Sequence, residues 1–220
     1  MDQGSFFEQL RDANRDRWNA SVNHRFVQEL FAGSLPDDVM RHYLVQDYQF
    51  IDRFVALIGA AVASADQFAS RVVLTQFAAM VTSEENTYFQ RSFDALGVPE
   101  ADRLSPRLTE PTRGFRDLMS EAADSRRYAN CIAVMCVAEG LYLDWADQPE
   151  RPLPPRFEHA EWITLHANDG FREFVGWLRS ELNRLGETQL DAQARDEAAA
   201  FFARAVALEE AFFDGAFQIG

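Results

Sequence analysis

The chain reads as an all-α protein, a bundle of roughly eight helices, and three observations lead there. It carries 19 phenylalanines but few Val or Ile runs of period two, which suits a helical core built on aromatic side chains rather than a sheet. Apolar residues recur at helical spacing from Ser5 to Phe217. Proline and glycine cut that pattern into helix-length pieces, and neither a strand pattern nor a fixed-period repeat interrupts it.

The first two pieces are short: Phe6, Leu10, Ala13 and Arg17 share one face between Ser5 and Ser21, and the pattern resumes from Val22 to Phe31. Gly33-Ser34-Leu35-Pro36 then punctuates. Pro36 suits a first helical turn, with Asp37 and Asp38 favourable beside the positive end of the helix dipole. A long helix is expected from there to about Ser64, its inward stripe being Tyr43, Asp47, Phe50, Ile51, Phe54 and Ile58. Asp66 caps a second long helix, Gln67 to Leu96, which Gly97 and Pro99 stop.

Residues 98–111 form a connection, and Pro111 opens a shorter helix through Ala123. Arg126 to Asp147 is a central helix. Four prolines between Gln148 and Arg156 force a surface crossing. Glu158 to Leu185 follows, kinked at Asn168-Asp169-Gly170 and ended by Gly186, and the last helix runs from Leu190 to Phe217.

With 220 residues and 47% apolar content, the chain can bury one sizeable core, so a single domain over residues 1–220 is expected. A net charge of -14 argues against a nucleic-acid backbone or an anionic lipid surface as partner. No uncharged stretch is long enough to span a membrane, and the first residues show no export signal. The two cysteines, Cys131 and Cys136, point about 140° apart on one helix and are not expected to be bridged. A reducing, cytoplasmic setting follows.

Chemistry is suggested wherever a carboxylate shares a stripe with core residues. In the central helix Glu139 lies with Cys136, Tyr142, Leu143 and Ala146, extended backwards by Ile132 and Met135. An ionised carboxylate in an apolar wall costs several kcal/mol unless it is paired, hydrogen-bonded or protonated. Asp47, before Phe50 and Phe54, and Glu209, aligned with Ala205, Phe212 and Phe213, repeat the anomaly. Three such groups on separate helices can converge on one pocket. Asp47 could accept two parallel hydrogen bonds from an amidine-like edge, or simply bond a neighbouring helix.

The stretch HRFVQELFAGSLPDDVMRHYLVQDYQFI resembles the N-terminal signature of the TenA family, thiaminase II and related aminopyrimidine hydrolases. PTRGF at 111–115, EWITLHANDGF at 161–171 and LEEAFFDGAF at 208–217 continue the likeness in family order. The resemblance implies a haem-oxygenase-like bundle and a cofactor-free, metal-free, homo-oligomeric enzyme acting on a small pyrimidine. It places Asp47 where the family grips the amidine edge of the pyrimidine, Phe50 in the same pocket, and Glu209 where a late glutamate moves protons to and from substrate.

There are departures. Phe115 and His166 stand where the family often has tyrosines. The central CVAEGLYLDW looks more like the branch that lacks the nucleophilic cysteine and carries a glutamate, so Glu139 with Glu209 is preferred over Cys136 for catalysis. Cys136 also reads as an inert core residue. Tyr142 reads as a pocket wall, His166 as a second acid-base group or a satisfied core imidazole, and Phe115 and Phe212 as core or as stacking partners for a flat ring. The resemblance thus implies hydrolysis of aminomethyl- or formylaminomethyl-pyrimidine, or of thiamin, in thiamin salvage. Rival readings are a Cys136 thiaminase II, a non-catalytic pyrimidine-binding or regulatory protein, and a metal-dependent oxidase on the same scaffold.

Overall fold

The computed structural model describes residues 4–219, and every regular element among them is helical: twelve α-helices and one π-helical turn. The count exceeds the expected eight because several patterns break where the backbone changes direction. Near the start, three helices form instead of two: α1 (Phe6–Ala13), α2 (Arg15–Val22) and α3 (Arg25–Ala32). Asn14 makes the extra break, its side-chain amide donating to the Leu10 carbonyl at 2.9 Å and ending α1. Ser5 and Glu8 close a capping box at the front of α1. Gly33 takes the left-handed conformation (φ 67°) that ends α3.

Pro36 leads into α4 (Asp37–Ser64), with Asp37 and Asp38 in its first turn as expected. The next predicted helix does not run continuously. It divides into α5 (Phe68–Met80), a π turn at Val81–Glu85, and α6 (Asn86–Ala95), stopped by Gly97 at φ 65°. A short α7 (Glu100–Leu104) lies inside the connection to α8 (Glu110–Asp124). The central helix is α9 (Tyr128–Ala146). After the proline-rich crossing the expected kink is a full break: α10 (Phe157–Leu165) ends, and the Asn168 side chain caps α11 (Asp169–Thr188) by accepting from Phe171 N at 2.9 Å.

Gly186 does not stop α11. It lies inside the helix, where the Phe6 ring occupies the space that a Cβ would need. Asp191 caps the last helix, α12 (Ala192–Gly215), accepting from Ala194 N at 2.8 Å.

Helix α9 is apolar all round and almost every residue of it is buried, so it must be surrounded. It packs against α4, α8, α11, α12 and α2. Its C-terminal end is tied on two sides, by Trp18 Nε1 donating to Asp144 Oδ2 at 3.0 Å and by Arg179 on Asp144 Oδ1 at 2.8 Å. Helix α8 is held on α4 through the buried Gln46. The Gln46 Oε1 accepts from Thr112 Oγ1 at 2.8 Å and Thr109 N at 3.0 Å. This sets α4, α8 and α12 around one stretch of α9, with the π turn against α4. Among the described residues, no helix is long and apolar enough to cross a membrane.

Candidate active site

The stretch of α9 around Glu139 faces a cavity into which four carboxylates project. Asp47 comes from α4, Glu85 from the π turn, Glu139 from α9 and Glu209 from α12. Asp47 and Glu209 are buried (7% and 2% exposed), while Glu85 and Glu139 are half-buried. The walls are apolar and aromatic, with Phe50 and Phe54 of α4, Phe115 and Met119 of α8, and Trp162 of α10. Phe50 meets Phe115 edge-on at 5.2 Å.

No cation offsets these acids. The chain has no lysine, and among the described residues no arginine lines the cavity. Burial raises all four carboxyls above their ordinary range. The Glu85 charge adds to this for Asp47 and Glu139, and the Asp47 charge for Glu139 and Glu209. Glu85, raised by burial, reaches about 7. A hydrogen bond from the Tyr142 hydroxyl opposes part of the shift on Asp47. Tyr142 in turn lies 2.6 Å from the Tyr43 hydroxyl, so once Tyr142 gives its proton to Asp47, Tyr43 donates to Tyr142.

His166 closes one end of the cavity. Its Nδ1 lies 2.8 Å from the Trp162 carbonyl, which can only accept, so Nδ1 carries the proton and Nε2 is left as an acceptor. Burial pushes this imidazole down to about 4, so it is neutral around pH 7. The Trp162 carbonyl thus holds one nitrogen of His166 and fixes its tautomer.

Seven of the nine residues singled out from the sequence line this one cavity: Asp47, Phe50, Phe115, Glu139, Tyr142, His166 and Glu209. Phe212 does not. It stands behind the wall, 4.8 Å from the Phe50 ring and 5.2 Å from Tyr43. Cys136 is also away from it. Three residues before Glu139, it is turned about 60° aside on the helix, enough to face α11, where its Sγ donates to the Leu178 carbonyl at 3.3 Å. Burial raises its thiol far above the range of a reactive cysteine.

Glu85 escaped the sequence reading. A signal was present, since it falls four residues after the apolar Val81 and three before Tyr88, whereas the neighbouring Glu84 is exposed. Among the described residues, no three His, Cys, Asp or Glu side chains converge closely enough to hold a metal ion. Around His159 the carboxylates are engaged by arginines, Glu158 by Arg156 and Glu161 by Arg91.

Comparison with known proteins bears on the family and the fold. A curated aminopyrimidine aminohydrolase of Bacillus subtilis is 26% identical over 83% of this chain and 76% of its own length. A second, from Halalkalibacterium halodurans, is 22% identical over 97% of this chain and 96% of its own. Among solved structures, a TenA homologue from P. horikoshii superposes with a TM-score of 0.86 over 99% of this chain and 100% of its own, at 18% identity. A cyanobacterial haem oxygenase from Synechocystis shares the fold more distantly, with a TM-score of 0.59 over 98% of this chain and 93% of its own, at 11% identity. The expected haem-oxygenase-like bundle is therefore the fold observed. The profile of the TENA/THI-4/PQQC family matches residues 11–218, nearly the full length, and the chain belongs to that family.

Proposed function

We propose that this protein is a hydrolase of thiamin-related aminopyrimidines, cleaving the bond between the ring-borne methylene carbon and a nitrogen leaving group. The observation that carries the reading is the meeting of Asp47, Glu139 and Glu209, from three separate helices, in one aromatic-walled cavity. The names of the curated relatives support the substrate class.

Each carboxylate has a distinct task. Asp47, kept protonated by burial, offers one donor and one acceptor side by side. That pair complements a ring nitrogen and the exocyclic amine next to it. The Tyr43–Tyr142 hydroxyl pair fixes the orientation of Asp47, and the aromatic walls hold the flat ring. Glu139 and Glu209 divide acid from base. The ionised member takes a proton from water as its oxygen bonds to the methylene carbon; the protonated member gives its proton to the nitrogen as the carbon–nitrogen bond breaks. The products are a hydroxymethylpyrimidine and ammonia, or formamide where the amine is formylated. Cys136, facing Leu178, takes no part in this scheme. We place the enzyme in the cytoplasm as a homo-oligomer, to be tested by light scattering on the purified protein.

The test is a panel of thiamin, aminomethyl- and formylaminomethyl-pyrimidine, with release of ammonia, formamide or thiazole measured for wild type, Glu139→Gln and Cys136→Ala. Turnover kept in Cys136→Ala and lost in Glu139→Gln is the expected pattern. The reverse pattern returns the chemistry to the thiol. Binding without turnover in wild type would leave a pyrimidine-binding protein.

A further inference from the structure

The hydrolase reading uses three of the four carboxylates and leaves Glu85 without a task. Glu85 is delivered by a π turn, a rare and unfavourable helical geometry that recurs at functional sites. Both ends of that turn, Val81 and Glu85, line the cavity, while Thr82, Ser83 and Glu84 between them are exposed. The turn is also clamped. Tyr48, the residue after Asp47, donates its hydroxyl to Asn86 Oδ1 at 3.2 Å, Asn86 being the residue after Glu85. Gln90 Nε2 holds the same tyrosine hydroxyl at 3.2 Å. The clamp ties the turn that carries Glu85 to the helix that carries Asp47, both lining the cavity, and among the described residues no guanidinium, amide or hydroxyl donor bonds the Glu85 carboxylate.

From this geometry we infer that Glu85 is a positioning residue that acts through Glu139, its negative charge keeping on Glu139 the proton destined for the leaving nitrogen. The inference rests on the hydrolase reading and assigns the roles left open there: Glu139 is the acid and Glu209 the base. The other titratable groups around the cavity do not neutralise Glu85. Asp47 and Glu209 are acids, Tyr142 is a neutral phenol held at its hydroxyl by Tyr43, and His166 is a neutral imidazole. The Glu85 charge is the largest electrostatic influence on Glu139 after burial itself.

The test is the pH profile of kcat/KM for ammonia release. Its alkaline limb reports loss of the acid form of Glu139. Glu85→Gln is expected to move that limb down by about one pH unit or more, so that activity about one unit above the wild-type midpoint falls about tenfold. Glu85→Asp keeps the charge and is expected to hold the limb near its wild-type position. An unmoved limb in Glu85→Gln overturns the inference, and so does an equal shift in Glu85→Asp. Should the glutamine variant not fold, the side-chain carboxyl carbons of wild type are followed by NMR against pH. The Glu139 signal is expected to respond as Glu85 ionises, and a Glu139 signal indifferent to Glu85 overturns the inference. If wild type releases no ammonia from any aminopyrimidine, the hydrolase reading itself fails, and the NMR titration still decides whether the two glutamates are coupled.

Discussion

Glu181 on α11 and Glu139 on α9 are both carboxylates inside the bundle, and their surroundings differ in kind. Glu181 Oε1 accepts from Ser70 at 2.6 Å, Tyr128 at 2.9 Å and Arg184 at 2.9 Å, and Oε2 accepts from Arg184 Nε at 2.8 Å. Arg184 continues to Asp66. Those donors hold Glu181 below the usual carboxylate range despite its burial. Glu139 has no cation beside it and three other acids around it, and it is pushed the other way. A buried charge that is fully satisfied ties elements together, here α5, α9 and α11. One left unsatisfied is a cost to the fold that a task at the site repays.

That contrast can be broken or sharpened by substitution. The largest expected effect is on activity: Glu139→Gln lowers kcat/KM by about 10²- to 10⁴-fold, while urea unfolding shows stability unchanged or raised, since no partner is orphaned. Glu181→Gln is expected to do the opposite. It takes one of two carboxylate partners from Arg184, which keeps Asp66, and weakens the acceptor of Ser70 and Tyr128, lowering unfolding free energy by about 1–3 kcal/mol, with kcat/KM retained by the folded protein.

The two clusters also respond oppositely to pH. A carboxyl raised on folding binds its proton more tightly in the native state, so its stabilisation is complete below its unfolded value and is lost as pH rises through the folded one. For Glu85 that window runs from its ordinary value of 4.5 to about 7. Glu181, lowered on folding, stabilises above its ordinary value of 4.5 and loses that contribution as pH falls below it. Urea unfolding at pH 5 and pH 8 is therefore expected to show a smaller drop for Glu85→Gln than for wild type. The smallest effect is that of Cys136→Ala, a loss of about 1 kcal/mol from a closely packed core position with turnover unaffected.

The acids at Asp47, Glu139 and Glu209 were legible in the sequence because each is a charged residue on an apolar stripe, and helical periodicity places such residues without any knowledge of neighbours. Orientation within a stripe was less legible. Cys136 and Glu139 share the apolar surface of α9, but only packing decides that the first meets α11 and the second meets the cavity. The π turn could not be read at all, since one irregular turn changes the phase of a helix without leaving a proline, glycine or cap to mark it. Gly186 was misread for a related reason. Its role is to admit the Phe6 ring from another helix, and local sequence cannot distinguish that from a stop.

Trp162 forms part of the cavity wall, with Tyr88 stacked on it at 5.1 Å and His166 meeting it edge-on at 4.5 Å. An indole in that position gives the protein a built-in optical gauge. A flat heterocycle arriving beside it is expected to alter its ultraviolet emission, whereas Trp18, stacked on Phe202, and Trp177, stacked on Phe174, stay outside the cavity as a steady background. Occupancy can then be followed without any label, on variants that no longer turn substrate over.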